Sequence, residues 1–198
     1  MIIWINGTFG SGKTTTAYEL EKRLENAFVF DPERFGYVLM KNIPPALQKD
    51  DFQDFPLWRE TNYSLLKQIT SDYDGIIIVP MTITNEAYFH EIISRLQNDQ
   101  IIVKHVTLMA SKATIKKRLR SRLEGEDSWA YNQAESRLKQ LERPIFKEHV
   151  DTNGLNIEEV IEKVAQVIGL KLKDDKRNPF RKRMDRLWNK LKEISLFK

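Results

Sequence analysis

Cysteine is absent from this 198-residue chain, which excludes disulfides and thiolate metal sites. Histidine is scarce, and His90, His105 and His149 are too scattered to suggest a zinc cluster. Long apolar runs are also missing. The longest uncharged apolar segment, 75–85, contains Pro80 and falls short of the ~20 residues a membrane-spanning helix needs. The first residues, MIIWING, carry neither a basic region nor a small-residue cleavage site, so no signal peptide and a cytoplasmic protein are expected. The body lacks an excess of positive charge. Residues 173–198 hold ten Lys/Arg against four Asp/Glu, which leaves 22 basic and 24 acidic residues for the rest. A nucleic-acid-binding domain would carry its positive charge across the body, so no nucleic-acid partner is expected.

The balance that remains, 41% hydrophobic and 30% charged, is that of one globular domain with a short appendage. Met1–Asn6 is a short apolar run, followed by glycines and by helix-forming residues over 14–26. Ala27–Phe30 reads as a second strand, stopped by Asp31-Pro32. Residues 34–71 are helix-rich and aromatic, broken by Pro44-Pro45 and Pro56. Residues 74–81 form a strand with no polar face, as a strand buried on both sides requires. The pattern then predicts a helix over 86–97, a strand over 101–109, a charged helix over 111–123 and a polar loop over 124–130. A helix over 131–142 and a short strand at 149–152 follow. Asn156 with Glu159 three residues on, and Gly169, mark the ends of the last body helix. Strands alternating with helices imply an α/β fold: a parallel sheet with helices on both faces. The division is 1–172 as the α/β body and 173–198 as a basic amphipathic C-terminal tail.

Gly7-Thr8-Phe9-Gly10-Ser11-Gly12-Lys13-Thr14 matches the phosphate-binding loop G-x-x-x-x-G-K-[ST] in full, between a strand and a helix. Glycines let successive amides converge on phosphate oxygens, and the helix N-terminus adds its positive dipole end. Residues Gly7 through Thr15 (Gly7, Thr8, Phe9, Gly10, Ser11, Gly12, Lys13, Thr14, Thr15) are therefore the expected nucleotide-binding set. Lys13 would reach the β- and γ-phosphates, and the Thr14 hydroxyl would ligate Mg²⁺. Lys13 is expected on an exposed loop.

Beyond the loop, FDPERFGYVL, DDFQDFPLWRETNYSLL, GIIIVPMTIT, VTLMASKATIKKRLRSRLEG and the basic tail resemble, in the same order, the bacterial tunicamycin-resistance proteins. The resemblance covers essentially the whole chain. It implies an ATP-binding, P-loop kinase-like fold held at the membrane through a C-terminal helix. In small-molecule kinases of this architecture an acid at the end of the second strand serves the acceptor hydroxyl or Mg²⁺, and Asp31 stands there, with Glu33 nearby. Residues 80–82, Pro-Met-Thr, replace a conventional metal-binding Asp after the third strand, so either Asp31 serves both metal and acceptor or turnover is slow. Arg118, Arg120 and Arg122, then Gly125, resemble the arginine-bearing lid of such kinases. Helical spacing puts Arg118 and Arg122 on one face, and Arg137 matches a second arginine after the lid. Arg118, Arg122 and Arg137 are thus the expected phosphoryl-stabilising cations, beside Lys13 and Asp31. Phe52, Phe55, Trp58 and Tyr63 stand where acceptor sites form, as core or as ligand contacts.

The functional reading is an ATP-dependent phosphotransferase acting on tunicamycin or a similar amphiphilic nucleoside antibiotic. Sequestration of the drug without transfer, and a kinase of an ordinary metabolite, stay open. A GTPase is disfavoured, since no N-K-x-D-like motif occurs. In the tail, Phe180, Met184, Leu187, Trp188, Leu191 and Ile194 share one helical stripe amid Lys and Arg, as in a helix lying on an anionic membrane. The opposing expectation docks this helix on the body with its stripe completing the core.

Overall fold

The structure is a computed structural model that describes residues 1–121 and 128–196, with side chains to Asn189 in the last helix. Its centre is β1 (Ile2–Gly7), whose residues are all buried. Alternation sends Ile2 and Trp4 into one core and Ile3 and Ile5 into another, as the two-residue period of a strand requires. The phosphate loop leads from β1 into α1 (Lys13–Arg23). Next come β2 (Ala27–Val29), α2 (Glu33–Asn42), two 3₁₀ turns at Pro45–Leu47 and Phe52–Asp54, and α3 (Pro56–Asp72). β3 (Ile76–Pro80) is followed by α4 (Glu86–Phe89), a π-helical turn at His90–Ser94, and α5 (Arg95–Asn98). These three run on as the single helix expected over 86–97. β4 (Val103–Met109), α6 (Lys112–Arg120), α7 (Trp129–Gln140), β5 (His149–Asp151), α8 (Ile157–Ile168) and α9 (Pro179–Leu196) complete the order.

The strands lie in the order β2-β3-β1-β4-β5 and every pairing is parallel. The chain therefore runs from β1 to the edge strand β2, returns to β3 beside β1, and then crosses to β4 and β5 on the other side. Ligands of open α/β sheets bind at such a switch, at the carboxyl ends of the strands, and the phosphate loop leaves β1 there. One face of the sheet packs on Trp58, Tyr63 and Leu66 of α3 and on Phe89, Ile92, Ile93 and Leu96 of the 86–98 segment. The other packs on Ala17 and Leu20 of α1 and on Val160, Ile161, Val164 and Ile168 of α8. α8 begins with the capping box of Asn156 and Glu159 and ends at Gly169 with φ 70°, as its sequence predicts. A small third core, Ala110, Ile115, Leu119, Tyr131 and Ala134, joins α6 to α7 and receives Phe9 from the phosphate loop.

α9 lies on the body, but with its charged face inward. Arg177 and Arg186 both pair with Glu19 of α1, at 2.7 and 3.1 Å. Lys182 and Arg186 reach Glu158 of α8, and Asp185 meets Lys22. Phe180, Met184, Leu187 and Trp188 are exposed instead, Phe180 at 73% and Trp188 at 61%. The helix is docked as one expectation held, yet the described part of its apolar stripe completes no core. Leu191 and Ile194 lie beyond the described side chains.

Candidate functional site: the phosphate loop and the adjoining cleft

Three features of the loop prepare it for phosphate. Gly7 has φ 145°, and a Cβ there would fall 2.9 Å from the Leu108 carbonyl oxygen, so no other residue fits without displacing backbone. Gly12, at φ 100°, starts α1 without any side-chain cap, which leaves the first amides of the helix to an external acceptor. Ser11 Oγ is buried within the loop and makes no hydrogen bond among the described residues. An unsatisfied hydroxyl in a cradle only glycine can line suits a phosphate oxygen. Lys13 corrects the expectation of an exposed residue. It is only 8% exposed, with Nζ donating to the Thr8 carbonyl at 3.1 Å and 5.8 Å from the Phe9 ring. Neighbouring elements brace the loop: Thr82 donates to the Gly7 carbonyl at 2.6 Å and Thr8 to that of Ala134 at 3.2 Å. Asn6 accepts from the Gly7 and Ile83 amides. Thr82 thus occupies the place of a metal-binding acid with a hydroxyl already committed to the loop.

Asp31 follows β2 and its Oδ1 accepts the Glu33 amide at 3.0 Å; Arg34 stands 3.8 Å from Oδ2. Burial raises its pKa, opposed by that amide and by the Arg34 and Lys13 charges. Glu33 is pushed further, to about 7, by burial and by the neighbouring Asp31 charge, against Lys13 and a hydrogen bond from Tyr37. Two carboxyls that feel one lysine form an acidic pair beside the loop. Glu33, not Asp31, lines the inner cleft, a space of about 60 Å³ shared with Phe9, Tyr37, Thr82 and Arg137. This cleft opens past Asp51, Gln53, Trp129 and Arg137 into a polar bay of about 310 Å³, walled further by Asp50, Asp54 and Gln133.

The arginines divide. Arg137 is buried at the cleft, paired with Asp51 at 2.7 Å, and its guanidinium stands 5.0 Å from the rings of both Phe9 and Trp129. Arg118 ties α6 to the end of β5 through Thr152, at 3.0 and 2.9 Å, and approaches the Ser11 carbonyl at 3.4 Å. It braces the loop from behind. Arg122 and Gly125 lie outside the described residues. Of the aromatics, Trp58 and Tyr63 belong to the core, Trp58 at 1% exposure, and Phe52 alone of the four lines the inner cleft. Sequence reasoning missed Asp51 and understated Glu33. The acid-rich DDFQDF segment was the available signal for Asp51, but its partner lies 86 residues away.

The AAA domain family matches residues 2–144. The structure is similar to that of the tunicamycin resistance protein of Deinococcus radiodurans, with a TM-score of 0.75 and 36% identity over 88% of this chain and 98% of that one. A sugar kinase from Janibacter sp. HTCC2649 superposes with a TM-score of 0.58 at 18% identity, over 85% and 94% of the two chains. For a shikimate kinase from Bacteroides thetaiotaomicron the values are 0.55, 17%, 86% and 99%. These two likenesses establish the fold. No curated protein sequence matches significantly.

Proposed function

The chain belongs to the AAA domain family and, within it, to the P-loop kinase-like tunicamycin-resistance proteins, and on that footing we propose that it is an ATP-dependent phosphotransferase acting on tunicamycin or a similar amphiphilic nucleoside antibiotic at an anionic membrane surface. The observation that carries the reading is the cleft. Phe9 of the phosphate loop, Glu33 of the acidic pair and the buried Arg137 line its inner end, and a polar bay opens beside them. ATP would lie with its phosphates in the 7–15 loop, and Lys13 would turn from the Thr8 carbonyl to the β- and γ-phosphates. Mg²⁺, held by Thr14 and Asp31, would supply neutralisation of phosphate charge. The acceptor hydroxyl then forms a bond to the γ-phosphorus as the bond to the ADP oxygen breaks, and its proton passes to Asp31. Arg137 stabilises charge spread over the transferred group, in a site where fixed dipoles count for more than in water.

Membrane attachment is supported by the outward stripe of α9, Phe180, Met184, Leu187 and Trp188, flanked by exposed Arg181 and Arg183. No helix among the described residues is long and apolar enough to cross a membrane, so attachment would be peripheral. Asp31→Asn tests the transfer chemistry, since it keeps the shape of the site but neither base nor metal charge. ATP affinity should stay near parental while protection of cells from tunicamycin is lost. Unchanged protection would favour sequestration of the drug without transfer.

A further inference from the structure

Arg137 is held in place by a series of contacts that begins at Glu91. Glu91, in the π-helical turn, pairs with Arg59 of α3 at 2.6 Å, and Arg59 donates to the Gln53 carbonyl. The Gln53 amide and side chain donate to the two Asp51 oxygens at 3.0 and 3.4 Å. Asp51 Oδ2 then accepts from Arg137 Nη2 at 2.7 Å. Arg59, Gln53 and Arg137 are all buried, whereas Glu91 is half-exposed, so the series is firmest from Arg59 to Arg137.

The two rings beside Arg137 constrain it differently from Asp51. A cation near Phe9 and Trp129, at 5.0 Å from each, is fixed in distance, but the attraction to a ring face does not set which way the guanidinium fork points. A charge-assisted bond to a fixed carboxylate does. Phe9 belongs to the phosphate loop, so the fork that Asp51 sets lies at the rim of that loop. The bond engages one of the five donors of a guanidinium, so holding Arg137 does not consume it.

We propose that Asp51 is a positioning residue for phosphoryl transfer, aiming the Arg137 guanidinium across the cleft so that its charge meets the transferred group. The proposal rests on the phosphotransferase reading. Asp51 acts through Arg137 on the rate of transfer, not on the affinity for either substrate.

The test is steady-state kinetics of purified full-length protein with MgATP and tunicamycin, alongside equilibrium ATP binding and thermal melting. Asp51→Asn should lower kcat by roughly 10- to 100-fold, the cost of a misplaced catalytic group. Both KM values and the ATP Kd should stay within about three-fold, and Asp51→Glu should recover part of the loss. In a double-mutant cycle, Asp51→Asn should cost little more once Arg137 is already Ala. A parental or raised kcat, a defect confined to the acceptor KM, or additive losses in the cycle would each overturn the proposal. Should Asp51→Asn not fold, Arg137→Lys decides, because it keeps the charge without the fork: the same kcat-only loss supports the proposal and a parental kcat overturns it. If the parent protein itself forms no phosphorylated product, the phosphotransferase reading fails and takes this proposal with it.

Discussion

Glu19 offers the sharpest test of how the tail is joined to the body. Its side chain is 1% exposed, and among the described residues its ion pairs go to Arg177 and Arg186, both from the tail. The appropriate perturbation is Arg177→Met with Arg186→Met, which removes the charges while leaving apolar bulk over Glu19. Truncating residues 173–198 would also uncover the carboxylate to water and so cost less. Removing one side of a buried pair costs about 3–5 kcal/mol, because the remaining charge stays desolvated. For a chain of this size each kcal/mol moves Tm by roughly 2–4 °C, so a fall of roughly 6–20 °C is expected. The cost is capped by the free energy that docks α9: if docking is weaker, the helix leaves the body and becomes protease-sensitive. Thermal melting monitored by circular dichroism, with limited proteolysis, reads both routes. Adding Glu19→Gln, which removes the stranded charge, should restore much of the loss. A double variant with parental Tm and parental protease resistance would refute the reasoning.

Lys13→Ala should abolish ATP binding while shifting Tm by no more than a few degrees, because the lysine's hydrogen bond to the Thr8 carbonyl stays within its own loop; calorimetric titration with a melt checks both. His105 should make the fold acid-labile. Burial, with a smaller contribution from His149, lowers its pKa from 6.5 to about 4, so below pH 6.5 the unfolded chain takes up a proton that the folded one refuses. Its stabilising contribution is complete above pH 6.5 and is lost as pH falls towards 4, by up to ~3 kcal/mol. Urea melts at pH 7 and pH 5 should show a smaller difference in His105→Gln. Phe180→Ser with Trp188→Ser should weaken flotation with anionic vesicles severalfold or more and leave ATP affinity unchanged, whereas high salt should weaken the parent only partly.

What could be read in advance follows from the range of each interaction. The strand–loop–helix at the N-terminus, the buried strand at Ile76–Pro80 and the capping box at Asn156 are local patterns, and all appear where their residues stand. The Asp51–Arg137 pair joins segments 86 residues apart, and no local pattern announces it. Lys13 was expected in solvent because it ends a glycine-rich loop; the lysine instead lies back on that loop. The amphipathic pattern of the tail was plain, but its orientation was not. Which face turns inward depends on Glu19 and Glu158, acids on two other helices that a helical wheel of the tail does not include. Trp58 and Tyr63 follow the simpler rule that large aromatics fill cores.

Product analysis decides whether a phosphoryl group is transferred to the antibiotic, as proposed. Purified protein is incubated with MgATP and tunicamycin, and the drug is then examined by mass spectrometry beside Lys13→Ala and Asp31→Asn controls. A phosphorylated drug that accumulates with parent protein, and fails to accumulate with either variant, is the expected result. Tunicamycin recovered unmodified after prolonged incubation with protein that demonstrably binds ATP would contradict the account.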